Sequence, residues 1–276
     1  MADLLTLAFI VPAAAAAAGS VALSRHRRRR RGTYRALAER RASRIAGRQP
    51  RLQGPPDPKT LHADFARNRI VRVEDILAAA SLQALRAECE ANRPRAERSF
   101  IPRHKKGGTL SYEAIHDRAP ACLAFYHSQA LREWLSGIVG ERLVPTADHD
   151  QSSCSILYYD RAGDHIHWHY DYDFYRGRHF TVLLSLVNRS AEGGISSGRL
   201  QQRIEAGDVI DWDTSEGVLV LFEGARILHR ASPVAEGDLR AMLSMTFCTD
   251  PRIHPVKELA RRIKDTAYYG ARALID

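Results

Sequence analysis

The sequence predicts a mainly β domain with packing helices, an α+β chain whose sheet forms a sandwich or barrel. Two observations carry this. Beyond Asp148, short apolar runs recur: CSILYY (154–159), TVLLSLV (181–187), DVIDW (208–212), VLVLF (218–222) and AMLSMTF (241–247). Turn signals separate them: DRAGD, EGG, EAGD, TSEG and AEGD. Short strands at this spacing favour an all-β sandwich or barrel over a parallel α/β sheet. Helical periodicity is confined to the stretches before and after these runs.

The chain opens with LLTLAFIVPAAAAAAGSVALS (4–24), 21 positions without a charge. That is long enough for one bilayer crossing at about 1.5 Å per residue. Pro12 and Gly19 weaken a helix in water but are tolerated in lipid. A cleaved signal peptide would carry its positive charge before the apolar run. Here Asp3 precedes it, and Arg25 and Arg27 to Arg31 follow it. The positive-inside rule keeps the arginine end in the cytoplasm. The expectation is a single-pass membrane protein: a transmembrane anchor at 1–24, an arginine-rich juxtamembrane segment and linker at 25–60, and a cytoplasmic catalytic domain at 61–276. The arginine run can also meet anionic headgroups, at about 1 kcal/mol per basic residue. The alternative is a low-complexity leader that never inserts. GRQPRLQGPPDP (47–58) reads as a linker, with folding beginning near Leu61.

The net charge of +9 is local. Residues 25–51 hold twelve arginines against one acid, Glu39, so the remainder is close to neutral. No basic stripe with interleaved aromatics runs through that remainder, which argues against a nucleic-acid partner. Cys89, Cys122, Cys154 and Cys248 are too far apart for a zinc motif or a disulfide framework. Four free thiols suit a reducing compartment.

Three stretches carry helical spacing. Val73 to Asn92 places Ile76, Leu77, Ala80, Leu82, Leu85 and Ala87 on one face. Ala119 to Val139 does the same with Leu123, Phe125, Leu131, Trp134, Leu135 and Ile138. The C-terminal VKELARRIKDTAYYGARALI is amphipathic, with Leu259, Ile263 and Tyr268 on one face.

The chemistry lies in DHIHWHYD (164–171). Alternate residues of a regular strand share a face, so His165, His167, His169 and Asp171 would stand together. Spacing alone leaves open a plain polar strand face. However, His169-Tyr170-Asp171 is followed about sixty residues on by His229, at the end of VLVLFEGARILH. Two imidazoles and a carboxylate form a facial triad for Fe(II) that leaves three positions open. A bidentate 2-oxo acid takes two and O₂ the third. Arg240, eleven residues after His229, can pair in a forked way with the far carboxylate of 2-oxoglutarate.

Over roughly residues 70–250 the sequence resembles the Fe(II)/2-oxoglutarate-dependent dioxygenases, in their prolyl-hydroxylase-like branch. The resemblance is strongest in YDRAGDHIHWHYD, RHFTVLLSLVN, EGGI, AGDVIDWD and LHRASPVAEGDLRAMLSMTF. It implies a double-stranded β-helix (jelly-roll) core with N-terminal and C-terminal helices. It also implies His169, Asp171 and His229 as iron ligands, since only His169 has an acid two residues on and Tyr159 ten residues earlier. Tyr159 and Thr181 would hydrogen-bond the co-substrate, in the pattern Arg178, Thr181 and Leu183 to Val187. Ser232, Pro233, Val234 and Gly237 match the turn before the basic residue, Arg240. In this family that residue usually comes nine or ten positions after the last histidine. Two extra residues over nine preserve strand parity, so Arg240 can face inward, and Arg226 and Arg230 are the alternatives. His165 and His167 would then sit at the mouth or satisfy backbone, and His179 would stand close to the site or apart from it.

The implied activity uses Fe(II), 2-oxoglutarate and O₂ to hydroxylate an unactivated C–H bond, on a small molecule, a lipid or a protein side chain. Relatives that halogenate replace the acid with a small residue to admit chloride, so Asp171 favours hydroxylation. The loop YDFYRG (172–177) matches no substrate class. Two other readings are a non-catalytic membrane-tethered binding module and a cupin-like metal enzyme that does not use 2-oxoglutarate.

Overall fold

The structure is a computed structural model, and it describes residues 35–36, 38–48, 50–204, 207–253, 257–258, 260–261 and 264–265. The anchor expected at 4–24 lies outside the described residues, as do Leu259, Ile263 and Tyr268 of the expected C-terminal helix. Among the described residues no helix is long and apolar enough to cross a membrane. Two compact units divide at Ala42 and Ser43. The first contributes a helical piece with an Arg35–Glu39 ion pair of 3.0 Å. Everything below belongs to the second.

Packing begins ahead of Leu61. Gln53 N–H donates to Ile76 O, and Trp134 Nε1 donates to Pro56 O at 2.9 Å, so the proline-rich stretch lies against the domain. Helix α1 (Pro58–Asn68) starts on Asp57, whose side chain accepts from Lys59 N–H, and ends where Arg69 turns left-handed. Strand β1 (Ile70–Val73) and an irregular stretch through Asp75 (φ 51°) take the place of the helix start expected at Val73. Helix α2 (Ala79–Asn92) follows. The cause is tertiary: Val71 and Val73 pair with Leu221 and Leu219 at the edge of the sheet and are buried there.

Strands β2 (Glu97–Ile101) and β3 (Lys105–Leu110) form a hairpin, followed by helices α3 (Tyr112–Arg118), α4 (Pro120–Tyr126) and α5 (Gln129–Val139). The single helix expected over 119–139 is thus two. Ser128 breaks it by accepting from Leu131 N–H as the N-cap of α5. The remaining strands are β4 (Val144–Pro145), β5 (Cys154–Tyr159), β6 (His165–His169), β7 (His179–Arg189), β8 (Leu200–Arg203), β9 (Val209–Trp212), β10 (Leu219–Phe222), β11 (Leu228–Ala231) and β12 (Leu239–Cys248).

The sheet runs β1-β10-β7-β12-β5-β3-β6-β11-β8-β9, every pairing antiparallel, and curls into a nearly closed barrel of the jelly-roll kind. Strand β3 joins its two halves: Gly108 to Leu110 pair with β5, and Lys105 and Lys106 pair with β6. Period-two alternation then sorts the side chains. Val182, Leu184, Leu243, Met245 and Phe247 face the helices in the main core. Leu183, Met242, Tyr159, Val220 and Phe222 face the barrel interior. Both faces of β7 and β12 are therefore buried, which is why those runs read as continuously apolar. Each fully buried large apolar side chain adds about 1.5–3 kcal/mol.

Candidate active site

A bulge in β6 decides which histidines enter the barrel. His169 lies opposite His229 and Ile166 opposite Ala231, so three steps on β6 match two on β11. Ile166 and His169 both line the interior pocket, whereas a regular strand would turn one of them out. His165 and His167 therefore do not share the face of His169. His165 donates from Nδ1 to Gly163 O at 2.7 Å, and His167 is exposed, its Nδ1 accepting from Trp168 N–H.

His169, Asp171 and His229 come together as a potential metal-binding group, their ligand atoms all within 4.8 Å of one another. His169 Nδ1 faces His167 O at 2.7 Å, and His229 Nδ1 faces Ile227 O at 2.9 Å. A carbonyl only accepts, so each Nδ1 carries the proton and each Nε2 offers its lone pair. Those Nε2 atoms stand 3.5 and 3.6 Å from Asp171 Oδ1. The other oxygen, Oδ2, accepts from Thr181 Oγ1 at 2.6 Å. Burial alone would raise the Asp171 carboxyl, but His229 and His169, when protonated, hold it well below the ordinary carboxylate range, and metal binding would take the place of their Nε2 protons. Two neutral imidazoles and one carboxylate, each braced by a backbone or hydroxyl group, fit a divalent iron.

Arg240 enters the same pocket from the start of β12, directly opposite Tyr159 on β5. It is 2% exposed, and its Nε and Nη2 have no hydrogen-bond partner. Its guanidinium carbon lies 5.2 Å from the Tyr159 ring centroid. Burial pushes the Tyr159 phenol up to about 12 despite the adjacent guanidinium, and burial lowers Arg240. Leaving two guanidinium nitrogens buried and unpaired is costly unless an anion arrives to meet them. Of the alternatives, Arg230 also lines the pocket, but its side chain is engaged elsewhere. Arg226 is exposed, and Arg230 stacks 4.5 Å over Trp168 while donating from Nε to Gln201 Oε1. Thr181 faces the pocket with its hydroxyl on Asp171, so its contact is with the carboxylate.

Three further features escape a reading of the sequence. Gly224 receives the Asp171 N–H on its carbonyl at 3.0 Å and lies flat against the Asp171 side chain. Arg178 forks onto buried Glu223, Nε to Oε1 at 3.0 Å and Nη2 to Oε2 at 2.8 Å, which fixes the residue before Gly224. Lys105 and Lys264 both line the pocket, although KKGG and RRIKD look like solvated surface.

A family model described as Halogenase D matches residues 55–268. A search of curated proteins finds no match to the sequence. By fold the chain is similar to a prolyl-4-hydroxylase from Pseudomonas putida, at 18% identity and TM-score 0.53, covering 71% of this chain and 99% of that one. It is similar to AviO1 from Streptomyces viridochromogenes Tue57, at 17% identity and TM-score 0.56, covering 72% and 97%. It is also similar to the epimerase SnoN in complex with Fe3+, alpha ketoglutarate and nogalamycin RO, at 14% identity and TM-score 0.55, covering 69% and 83%. Likeness at these identities establishes the fold.

Proposed function

Because the chain belongs to the halogenase D family, within the Fe(II)/2-oxoglutarate oxygenase superfamily, we propose that it is an oxygenase that hydroxylates an unactivated C–H bond. The observation that carries the reading is Arg240: a buried guanidinium with two unpartnered nitrogens, in the pocket that also holds His169, Asp171 and His229. One end of the pocket calls for a carboxylate, and the triad calls for a metal.

His169 and His229 would present Nε2 to iron, with Nδ1–H held on the carbonyls of His167 and Ile227. Asp171 would supply Oδ1 while Thr181 keeps Oδ2 occupied. Arg240 would pair with the distal carboxylate of 2-oxoglutarate, and Leu183, Leu200 and Met242 keep water away from that end. The bound iron supplies the coupling of 2-oxoglutarate and O₂ to succinate, CO₂ and one hydroxyl placed on carbon. Asp171 separates hydroxylation from halogenation, because its carboxylate stands where a halogenating relative leaves room for chloride.

The test is anaerobic titration of the protein with Fe(II) and 2-oxoglutarate. The expected result is a weak visible charge-transfer band that Asp171→Ala loses. A folded protein that gives no band ends this reading. We further assign residues 4–24 as a membrane anchor and a membrane-associated molecule as substrate, on the 21 uncharged positions and the arginines after them. Deleting residues 1–51 should release the protein from the membrane fraction and lower the cellular product; a protein that stays in the supernatant at full length removes the assignment.

A further inference from the structure

Asp171 is seated at one end of the β7–β10 ladder. That ladder pairs Leu184 with Leu219 at its far end and Thr181 with Phe222 at the near one. At the near end, Thr181 Oγ1 donates to Asp171 Oδ2 at 2.6 Å, and Asp171 N–H donates to Gly224 O at 3.0 Å. The side chain of Asp171 thus depends on β7, and its backbone on the segment that follows β10. A change in the separation of Thr181 and Gly224 would move a metal ligand.

Past the pair Thr181–Phe222 the ladder has ended, and a side-chain pair ties the two segments instead. Arg178, three residues before Thr181, donates from Nε to Glu223 Oε1 at 3.0 Å and from Nη2 to Glu223 Oε2 at 2.8 Å. Two parallel bonds fix distance and plane together, where one bond would leave a swivel. Glu223, the residue before Gly224, is buried, and its N–H donates to Arg69 O at 3.0 Å. Arg178 is held in turn by Thr249: its N–H donates to Thr249 Oγ1 at 3.0 Å, and Thr249 N–H donates to Arg178 O at 3.1 Å.

The far end of the same ladder carries a matching pair. There Arg86 Nη2 stands 2.8 Å from Glu216 Oε2, and Arg86 Nε donates to Leu186 O at 2.8 Å. Leu186 lies beyond Leu184 on β7, and Glu216 precedes β10, so this pair is at the end away from Thr181 and Gly224.

We propose that Arg178 and Glu223 are positioning residues for the metal-binding carboxylate: their forked ion pair holds Thr181 and Gly224 at the separation that seats Asp171. The inference rests on the reading of His169, Asp171 and His229 as a metal site. It gives Arg178 control over metal affinity, exerted through Glu223 and Gly224 without being a ligand itself. A lysine at 178 keeps the charge but cannot make the fork.

The experiment compares the native full chain with Arg178→Met, Arg178→Lys and Arg86→Met. Each is titrated calorimetrically with Co(II), its visible spectrum is recorded with the metal bound, and the metal-free protein is melted. Arg178→Met should weaken Co(II) binding about tenfold or more, the order of loss expected when the groups that orient a ligand are disturbed, and should shift the visible bands. Arg178→Lys should fall between Arg178→Met and native. Arg86→Met breaks the pair at the far end, so it should lower the melting temperature while affinity and bands stay native. Native affinity and bands in Arg178→Met overturn the proposal. So does an equal loss of affinity in Arg86→Met, which would make both pairs supports of the fold alone. If Arg178→Met does not fold, Arg178→Lys is read in its place, and native affinity there overturns the proposal. Native protein that takes up no Co(II) removes the metal-site reading, and this proposal with it; native uptake that Arg178→Met leaves unchanged removes the proposal alone.

Discussion

Gly224 and Asp171 are fitted to each other without space for a side chain at position 224. A Cβ built on Gly224 would stand 2.8 Å from Asp171 Cβ and closer still to the carboxyl group. Oδ2 of the same carboxylate accepts from Thr181, and the Asp171 N–H donates to the Gly224 carbonyl. A methyl group at 224 must therefore move a metal ligand. Gly224→Ala is expected to weaken divalent metal affinity by roughly 10–100-fold, the usual cost of disturbing the groups that orient a ligand, with little change in melting temperature of the metal-free protein. Metal titration beside a thermal melt checks this, and unchanged affinity would show that Asp171 can seat itself elsewhere.

The burial of Arg240 makes a separate claim about the co-substrate. Its Nε and Nη2 are unpaired in the absence of an anion, so removing the guanidinium should cost a buried charge pair, about 3 kcal/mol or roughly 100-fold. Arg240→Ala should raise the 2-oxoglutarate concentration needed for half-maximal decarboxylation by that factor while metal affinity is kept. Arg230→Ala, which loses a contact on Trp168 and Gln201, should leave the requirement close to native. The reverse pattern would transfer the role to Arg230.

The presence of an acid at 171 also makes the halide response a direct test. With Asp171 Oδ1 facing both imidazoles, no ligand position is left for chloride in its place. Decarboxylation of 2-oxoglutarate and hydroxylated product should be independent of chloride concentration, read by mass spectrometry of the product. A chlorinated product from the native protein would sink the hydroxylase assignment, whatever the rate.

How much of this could be read from the sequence depends on whether the cause is local. β5 runs Cys154–Tyr159, the very run CSILYY, because an unbroken apolar stretch between turn signals has few other uses. β3 carries KKGGTL and left no such trace: Gly107 and Gly108 are there because Tyr158 backbone and side chain press on them from β5. β1 carries no mark of its own in the sequence, and its last residue, Val73, reads as the start of a helix, because its strand character comes from pairing with β10. At the site, His169, Asp171, His229 and Arg240 were marked by spacing along the chain. The bulge that separates His169 from His165 and His167 was not, since a period-two pattern carries no record of one extra residue. Gly224 and Lys105 acquire meaning only from what stands opposite them in space.

Lys105, buried and lining the pocket, gives the fold a measurable pH dependence. Burial, with Lys264 and Arg98 adding to it, lowers its ammonium from the ordinary 10.5 to about 7. The two cations that act on it are Lys264 and Arg98, and Lys264 in turn faces Asp150 and Asp265. Between about 7 and 10.5 the unfolded chain binds a proton at this lysine that the folded protein does not. Stability therefore rises with pH across that window, and the full penalty of burying the charge is felt below it. Lys105→Met removes the group from both states. The difference in unfolding free energy between Lys105→Met and native protein should be largest in favour of the variant near neutral pH and below, and should shrink steadily as pH is raised toward 10. Urea denaturation of both proteins in parallel across that range measures the difference directly. A constant difference would mean that Lys105 keeps its proton when folded, and that an anion already stands close enough to hold it.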